Sequence, residues 1–313
     1  AMVALALRAR RLRAPLARCL HTGVPARASM GGNNAESSTH FGFSEVPTGE
    51  KAKKVGEVFS RVADSYDVMN DVMSAGVHRV WKDHFVHGMG LPATQASSPG
   101  GVRVLDVAGG TGDIAFRIAD ALAGSAPVHL QQQGGSSAES GVGARSEVTV
   151  YDINTDMLRV GEQRAIKRPS LQRAGAPLLR WVEGDAEKLP FEDNSFDLYS
   201  IAFGIRNVTN VPNALKEARR VLRPGGRFVC LEFSQVENPL LRKFYDEYSF
   251  HVIPAMGAAV ANDRASYQYL VESIRKFPTQ PEFAKWISEA GFEAVSYSNL
   301  TFGAVAVHTG FKL

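Results

Sequence analysis

Cysteine is nearly absent from this 313-residue chain, which has only Cys19 and Cys230. Two cysteines without a pairing pattern or metal-ligand spacing exclude a disulfide framework and favour a reducing compartment. Cys230 falls in the apolar run Phe228-Val-Cys-Leu231, where it reads as core packing. No stretch of eighteen apolar residues occurs, so no transmembrane helix is expected. Acids and lysine are missing altogether from residues 1–35, which hold six arginines (8, 10, 11, 13, 18 and 27). Setting those six aside leaves 29 basic against 32 acidic residues, so the net +3 of the whole becomes −3 for the remainder. The basic excess therefore belongs to the tail. A nucleic-acid-binding arm would normally carry lysine and accompany a basic domain, so no nucleic-acid partner is expected. An Arg-rich, acid-free, Ala/Leu-rich start that passes into Ser, Gly and Asn predicts an organelle transit peptide over residues 1–35, cut between residues 20 and 40. A metal cofactor is not expected.

What is present is concentrated in Val104-Leu-Asp-Val-Ala-Gly-Gly-Thr-Gly-Asp113: an apolar strand, a glycine-rich turn and the start of a helix. Gly109, Gly110 and Gly112 let a ligand approach the backbone, and the helix N-terminus offers unpaired N–H groups. The spacing Asp-x-x-x-Gly-x-Gly is not the Gly-x-Gly-x-x-Gly of dinucleotide folds, which disfavours a nucleotide-dependent oxidoreductase. Asp106 closes the first strand and suits a cationic amino group. Asp152 closes the second, Glu147–Asp152, where an acid partners ribose hydroxyls. Asp185 and Ala186 follow the third strand and suit an adenine edge. Amino acid, ribose and adenine together are S-adenosylmethionine, and the pattern resembles the class I methyltransferases.

The organisation agrees with that reading. Residues 41–91 look helical, with Val58, Phe59, Val62, Ala63 and Tyr66 at helical spacing. Strands are expected at 102–107, 147–152, 178–183, 196–203 and 227–233. Helices are expected at 112–123, 211–222 and 280–290, with two closing strands at 293–299 and 302–311. Residues 124–146 form a Gly/Ser/Gln-rich low-complexity insertion, and 237–275 a helical one. The prediction is an α/β, Rossmann-like, mostly parallel seven-stranded sheet with an antiparallel edge, forming one domain over 36–313. The helical pieces at 41–91 and 237–275 flank the carboxyl ends of the strands. They read either as ordinary lid packing, or as the walls of a channel for a long apolar substrate or a face that touches a membrane.

Longer motifs narrow the class. Tyr66-Asp-Val-Met-Asn-Asp-Val-Met-Ser74 with His78-Arg-Val-Trp81, and Arg220-Val-Leu-Arg-Pro-Gly-Gly-Arg-Phe-Val-Cys-Leu-Glu-Phe-Ser234, resemble the two signatures of the ubiquinone/menaquinone biosynthesis C-methyltransferases. Ala202-Phe-Gly-Ile-Arg-Asn-Val-Thr209 and Gly310-Phe-Lys-Leu313 fit the same family, over about residues 40–313. The leader and the insertion before the second strand place the likeness nearest its mitochondrial members; a chloroplast naphthoquinol enzyme and a cofactor-binding scaffold subunit are the alternatives. The resemblance implies C-methylation of a polyprenylated methoxy-benzoquinol in ubiquinone biosynthesis. It also implies other enzymes of that biosynthesis as partners in a complex, and peripheral contact with the matrix side of the mitochondrial inner membrane. A homodimer is left open. Carried over by position, Thr111, Asp152, Asp185 and Ala186 would hold the cofactor. Bacterial relatives place a serine where this chain has Ala202, so a contact there must come from the backbone.

A quinol ring carbon is a weak nucleophile until a ring hydroxyl loses its proton, so the site must orient the ring, assist deprotonation and stabilise the phenolate. Arg206, Asn207, Asp67 and Tyr66 are the candidate catalytic residues. Arg206 is too basic to take a proton but would polarise the phenol or position a water. Asn207 would orient the same oxygen or cap the following helix. Asp67 reads as a base or as a capping residue. His78 titrates in the useful range, though packing beside Trp81 is the favoured reading, and Glu232 is a further candidate base.

Overall fold

In the computed structural model, apolar strands alternating with amphipathic helices build one mixed sheet covered on both faces. The structure describes residues 38–62, 66–91, 94, 100–124 and 145–313. The expected leader, most of the low-complexity insertion, and the side chains of Tyr66 and Asp67 lie outside the described residues.

The described chain opens on a hairpin, β1 (Ser38–Phe41) and β2 (Ser44–Pro47), followed by helices α1 (Thr48–Val62), α2 (Tyr66–Ser74) and α3 (Val77–His87). The hairpin corrects the expectation of helix from residue 41. A two-residue turn begins with Gly42 at φ 59°, a conformation that costs glycine little and fits a tight hairpin. Its Phe41 ring stacks on Tyr269 with centroids 4.1 Å apart.

Then come β3 (Arg103–Val107), α4 (Asp113–Gly124), β4 (Glu147–Asp152), α5 (Thr155–Ile166), β5 (Leu178–Glu183), β6 (Phe196–Ala202), α6 (Val211–Val221) and β7 (Leu222–Phe233). Helix α7 (Pro239–Glu247) leads through a π turn at Tyr248–Val252 into α8 (Ile253–Ala261), α9 (Arg264–Lys276) and α10 (Gln280–Glu289). Strands β8 (Glu293–Leu300) and β9 (Val305–Phe311) close the chain. The sheet order is β5-β4-β3-β6-β7-β9-β8, with the first five parallel and the last two joined antiparallel. This is the expected architecture.

Strand periodicity divides the core into two faces. Leu105, Val107, Phe228 and Cys230 pack toward α6 and α10 through Leu215, Phe283 and Ile287. Val104, Val150, Val229 and Leu231 pack toward α3 and α4 through Phe85, Ile114 and Ile118. Because the order runs outward from β3 in both directions, the end of β3 is a topological switch point, where a crevice opens. The two helical flanks meet above that edge: Val62 and Met69 pack with Ile253, Tyr267 and Val271. Glu36–Leu313 forms one compact body.

Candidate active site

The turn leaving β3 is wound tightly enough to exclude a side chain at Gly109 and Gly112. Ala108, Gly110 and Gly112 hold φ of 51°, 52° and 82°, and the Gly112 N–H donates to the Gly109 carbonyl at 2.9 Å. A Cβ on Gly109 would stand 2.6 Å from Val150 Cγ1. A cavity of about 1130 Å³ opens against this turn. Asp106, Gly109, Gly110, Thr111, Asp152, Asp185, Ala186, Ala202 and Asn207 all line it. Gly112 shapes the turn from behind, where a Cβ would lie 2.6 Å from Trp181.

The two acids differ in their wiring. Asp152 accepts the Gly110 N–H at 2.9 Å and the Asn154 N–H at 2.8 Å. Burial pushes its pKa up to about 6 against those hydrogen bonds. Asp106 is 1% exposed. One oxygen accepts from Ser200 Oγ at 2.7 Å, while Oδ2 has no partner. Burial raises it to about 7, with the Ser200 bond opposing and the charges of Asp152 and Asp113 adding. A buried carboxylate oxygen without a donor calls for a cation. At the far end Asp185 is held by the Glu187 N–H on its carboxylate (2.9 Å) and by Tyr151 Oη–H on its carbonyl (3.2 Å).

These residues fit S-adenosylmethionine. Asp106 would take its ammonium, the glycine turn would let the chain pass against the backbone, Asp152 would take the ribose and Asp185 with Ala186 the adenine. Ala202 contributes no polar side-chain atom, and the following N–H, of Phe203, is spent on Leu231 O at 2.7 Å.

A second cavity of about 1030 Å³ adjoins the first, and Phe59, Lys82 and Phe203 line both. Its walls come from both helical flanks and are largely apolar: Val58, Val62, Met69, Met73, Trp81, Phe233, Tyr245, Ile253 and Tyr267 among them. Arg206 lines this chamber. Its Nη1 donates to Glu232 Oε1 at 2.8 Å and to the Phe203 carbonyl, and its guanidinium lies 5.4 Å from the Phe233 ring centre. Glu232 is thus the buried counter-ion of Arg206. Burial pushes its pKa up and Arg206 opposes the shift.

Asn207 accepts from Tyr269 Oη at 2.9 Å, and the cap of α6 is Asn210, whose side chain accepts the Asn213 N–H. The capping alternative for Asn207 is thereby corrected. His78 lines the second chamber and hydrogen-bonds Asp71 at 2.9 Å.

Sequence reasoning missed Lys82, which is 5% exposed and donates to Asp113 Oδ2 at 2.7 Å. It also missed Asn154, whose side chain caps α5 and reaches back to Gly56 O and Ser60 Oγ of α1, each at 3.0 Å. An Asn just after the acid of β4 and before Thr155 is a cap signal; its second grip on α1 has no local signature.

The fold and the first chamber define a class I S-adenosylmethionine-dependent methyltransferase. A family model, the ubiE/COQ5 methyltransferase family, matches residues 47–312, and the chain belongs to that family. It is 52% identical over 292 residues to a human protein named 2-methoxy-6-polyprenyl-1,4-benzoquinol methylase, mitochondrial, covering 88% of this chain and 85% of that one. Relatives of the same name from Arabidopsis thaliana (53% over 276 residues; 88% and 91% covered) and Dictyostelium discoideum (49% over 286; 90% and 88%) are equally similar. A solved S-adenosylmethionine-dependent methyltransferase from Thermotoga maritima has a TM-score of 0.45 and 19% identity, over 82% of this chain and 99% of that one.

Proposed function

We propose that this chain methylates a ring carbon of a polyprenylated methoxy-benzoquinol, in the biosynthesis of ubiquinone, with S-adenosylmethionine as donor. The observation that carries the reading is the pair of adjoining chambers, one built for the donor and the other apolar, meeting at Phe59, Lys82 and Phe203. The relatives named for a polyprenyl benzoquinol supply the substrate class. When bound, the donor supplies an activated methyl group on a cationic sulfur.

The chain's own residues would do the rest. Apolar walls receive the ring and the first isoprene units and exclude water. Asn207, held by Tyr269, orients a ring oxygen at the junction. Arg206 steadies developing phenolate charge, moderated by its pairing with Glu232. Asp67 and Tyr66, at the start of α2, remain candidates for the same ring.

The cellular setting belongs to the same proposal. Residues 1–35 act as a mitochondrial transit peptide, and the mature enzyme, 36–313, works on the matrix side of the inner membrane beside other enzymes of quinone biosynthesis. No helix among the described residues is long and apolar enough to cross a membrane. Leu240, Leu241, Phe244, Tyr248 and Val252 are exposed along α7 and the π turn, and Tyr245 and Tyr248 of the same segment wall the second chamber. An apolar stripe beside a chamber for a greasy substrate suits shallow contact with a bilayer.

The test uses methyl-labelled S-adenosylmethionine and a short-tailed methoxy-benzoquinol held reduced, with mass spectrometry to locate the label. Label on a ring carbon, lost when the quinone replaces the quinol, is the expected result. Tight donor binding with no label on the quinol overturns the reading.

A further inference from the structure

We propose that Lys82 holds the carboxylate of the donor's amino-acid end, and so makes the site choose S-adenosylmethionine over its decarboxylated analogue. The inference rests on the donor reading of the first chamber and takes nothing from the identity of the acceptor.

The donor brings two positive groups, its sulfonium and its ammonium, and one negative group, its carboxylate. The chamber's ionisable lining has the opposite bias. Asp106, Asp113, Asp152, Asp185 and Glu187 are acids, and Lys82 is the single cation among the described lining residues. Asp106, with its unpartnered oxygen, is matched to the ammonium. Ammonium and carboxylate share one carbon atom, so fixing the first beside the glycine turn brings the second there too. Among so many acids that carboxylate is repelled unless a cation meets it.

Three N–H groups of the turn are already spent. Gly109 donates to Tyr151 O at 3.2 Å, Gly110 to Asp152 and Gly112 to Gly109 O. Lys82 is in the reverse position. Its ammonium has three hydrogens to place, and Asp113 Oδ2, at 2.7 Å, is its one hydrogen-bond partner among the described residues. The side chain is only 7% exposed. A buried ammonium short of acceptors complements a buried carboxylate short of donors.

Asp113 places the ammonium. It follows Gly112 directly in the chain and lines the same chamber, with its side chain 34% exposed. Lys82 Nζ, bonded to that carboxylate, therefore stands beside the turn. Asp113 does not neutralise it alone, because its other oxygen accepts Arg117 Nε at 3.1 Å. Arg117 also pairs with the exposed Asp83 of α3. Burial would raise the Asp113 carboxyl, but the charges of Lys82 and Arg117 outweigh it and hold the group below its ordinary range. It stays ionised and aims the ammonium. Lys82 lines the second chamber as well, so the carboxylate is held where the two spaces meet.

Calorimetry on the full-length chain compares S-adenosylmethionine with decarboxylated S-adenosylmethionine, which lacks only the carboxylate. Wild type should bind the first roughly 10–100-fold more tightly. Lys82→Met keeps the length of the side chain and removes its charge. It should lose about that factor for S-adenosylmethionine and bind the decarboxylated ligand no more weakly than wild type does. 5′-Methylthioadenosine, which has no amino-acid end, should bind both proteins alike.

An equal loss for both S-adenosyl ligands, or a loss for 5′-methylthioadenosine, makes Lys82 a support for the wall and overturns the proposal. Unchanged affinity for S-adenosylmethionine does the same. If Lys82→Met does not fold, Lys82→Gln, which can keep the hydrogen bond to Asp113, carries the comparison. Wild type that binds both S-adenosyl ligands equally tightly overturns the proposal without any variant. Wild type with no affinity for S-adenosylmethionine fails the donor reading, whereas tight binding with no preference for the carboxylate fails Lys82 alone.

Discussion

Asp106 and Asp152 sit 46 positions apart in sequence yet line the same chamber. Asp152 is satisfied by backbone N–H groups, and Asp106 is left short of a donor. If Asp152 holds the ribose, replacing it with Ala should weaken S-adenosylmethionine binding by roughly 1–3 kcal/mol, read by calorimetry, since the Gly110 N–H loses its acceptor as well. Asp106 makes a pH prediction. Its folded pKa, about 7, lies above the ordinary aspartate value of 3.8. Its contribution to stability is therefore fully present below the unfolded value and is lost as pH rises through about 7. Asp106→Asn should gain thermal stability relative to wild type over that window, by up to about 4 kcal/mol at 1.4 kcal/mol per pKa unit, while losing donor affinity. Parallel melting curves across pH would refute the assignment of that cost to Asp106. Both acids were legible in the sequence because each closes an apolar strand. The counter-ion of Arg206 was not, because Glu232 lies on another strand and only the β6–β7 pairing brings them together.

At the scale of elements, the glycine turn is the most constrained piece of backbone in the site. Gly109→Ala would press a methyl onto Val150 Cγ1 and onto the Asp106 carbonyl at 3.0 Å. A destabilisation of about 1–3 kcal/mol, with loss of donor binding, should follow in denaturant titration. Gly124→Ala, where nothing lies within 4 Å, serves as the control and should be close to neutral. The strands were readable because burial on both faces forces continuous apolar runs, and the helices because α6 and α10 keep one apolar face. The β1–β2 hairpin was not, since Ser38–Pro47 has weak alternation and is held by a distant ring, Tyr269.

The molecule as a whole gathers its substrate chamber from segments that are remote in sequence. Signatures at residues 66–81 and 220–234 announced a family, and the helical pieces at 41–91 and 237–275 read as a lid or as pocket walls; which side chains of α1, α2, α8 and α9 share one space follows only once the sheet has brought the flanks together. The same assembly leaves the stripe on α7 facing outward, with Phe244 68% exposed. Phe244→Glu should leave donor affinity and thermal stability near wild type and reduce sedimentation with anionic phospholipid vesicles several-fold, because a charge replaces the largest apolar contact. Unaltered sedimentation would assign the stripe elsewhere.

Helix α1 lies across both chambers: Val55, Gly56 and Phe59 line the first, and Val58, Phe59 and Val62 the second. Asn154 clips it to the end of β4, and Lys51 ties it to Val208 O at 3.1 Å. A roof shared by two rooms gives their tenants a common door. Whatever occupies either chamber would lie against the same helix, so Phe59→Ala, at the one α1 position common to both linings, should change affinity for donor and acceptor together, which calorimetry with each ligand reads.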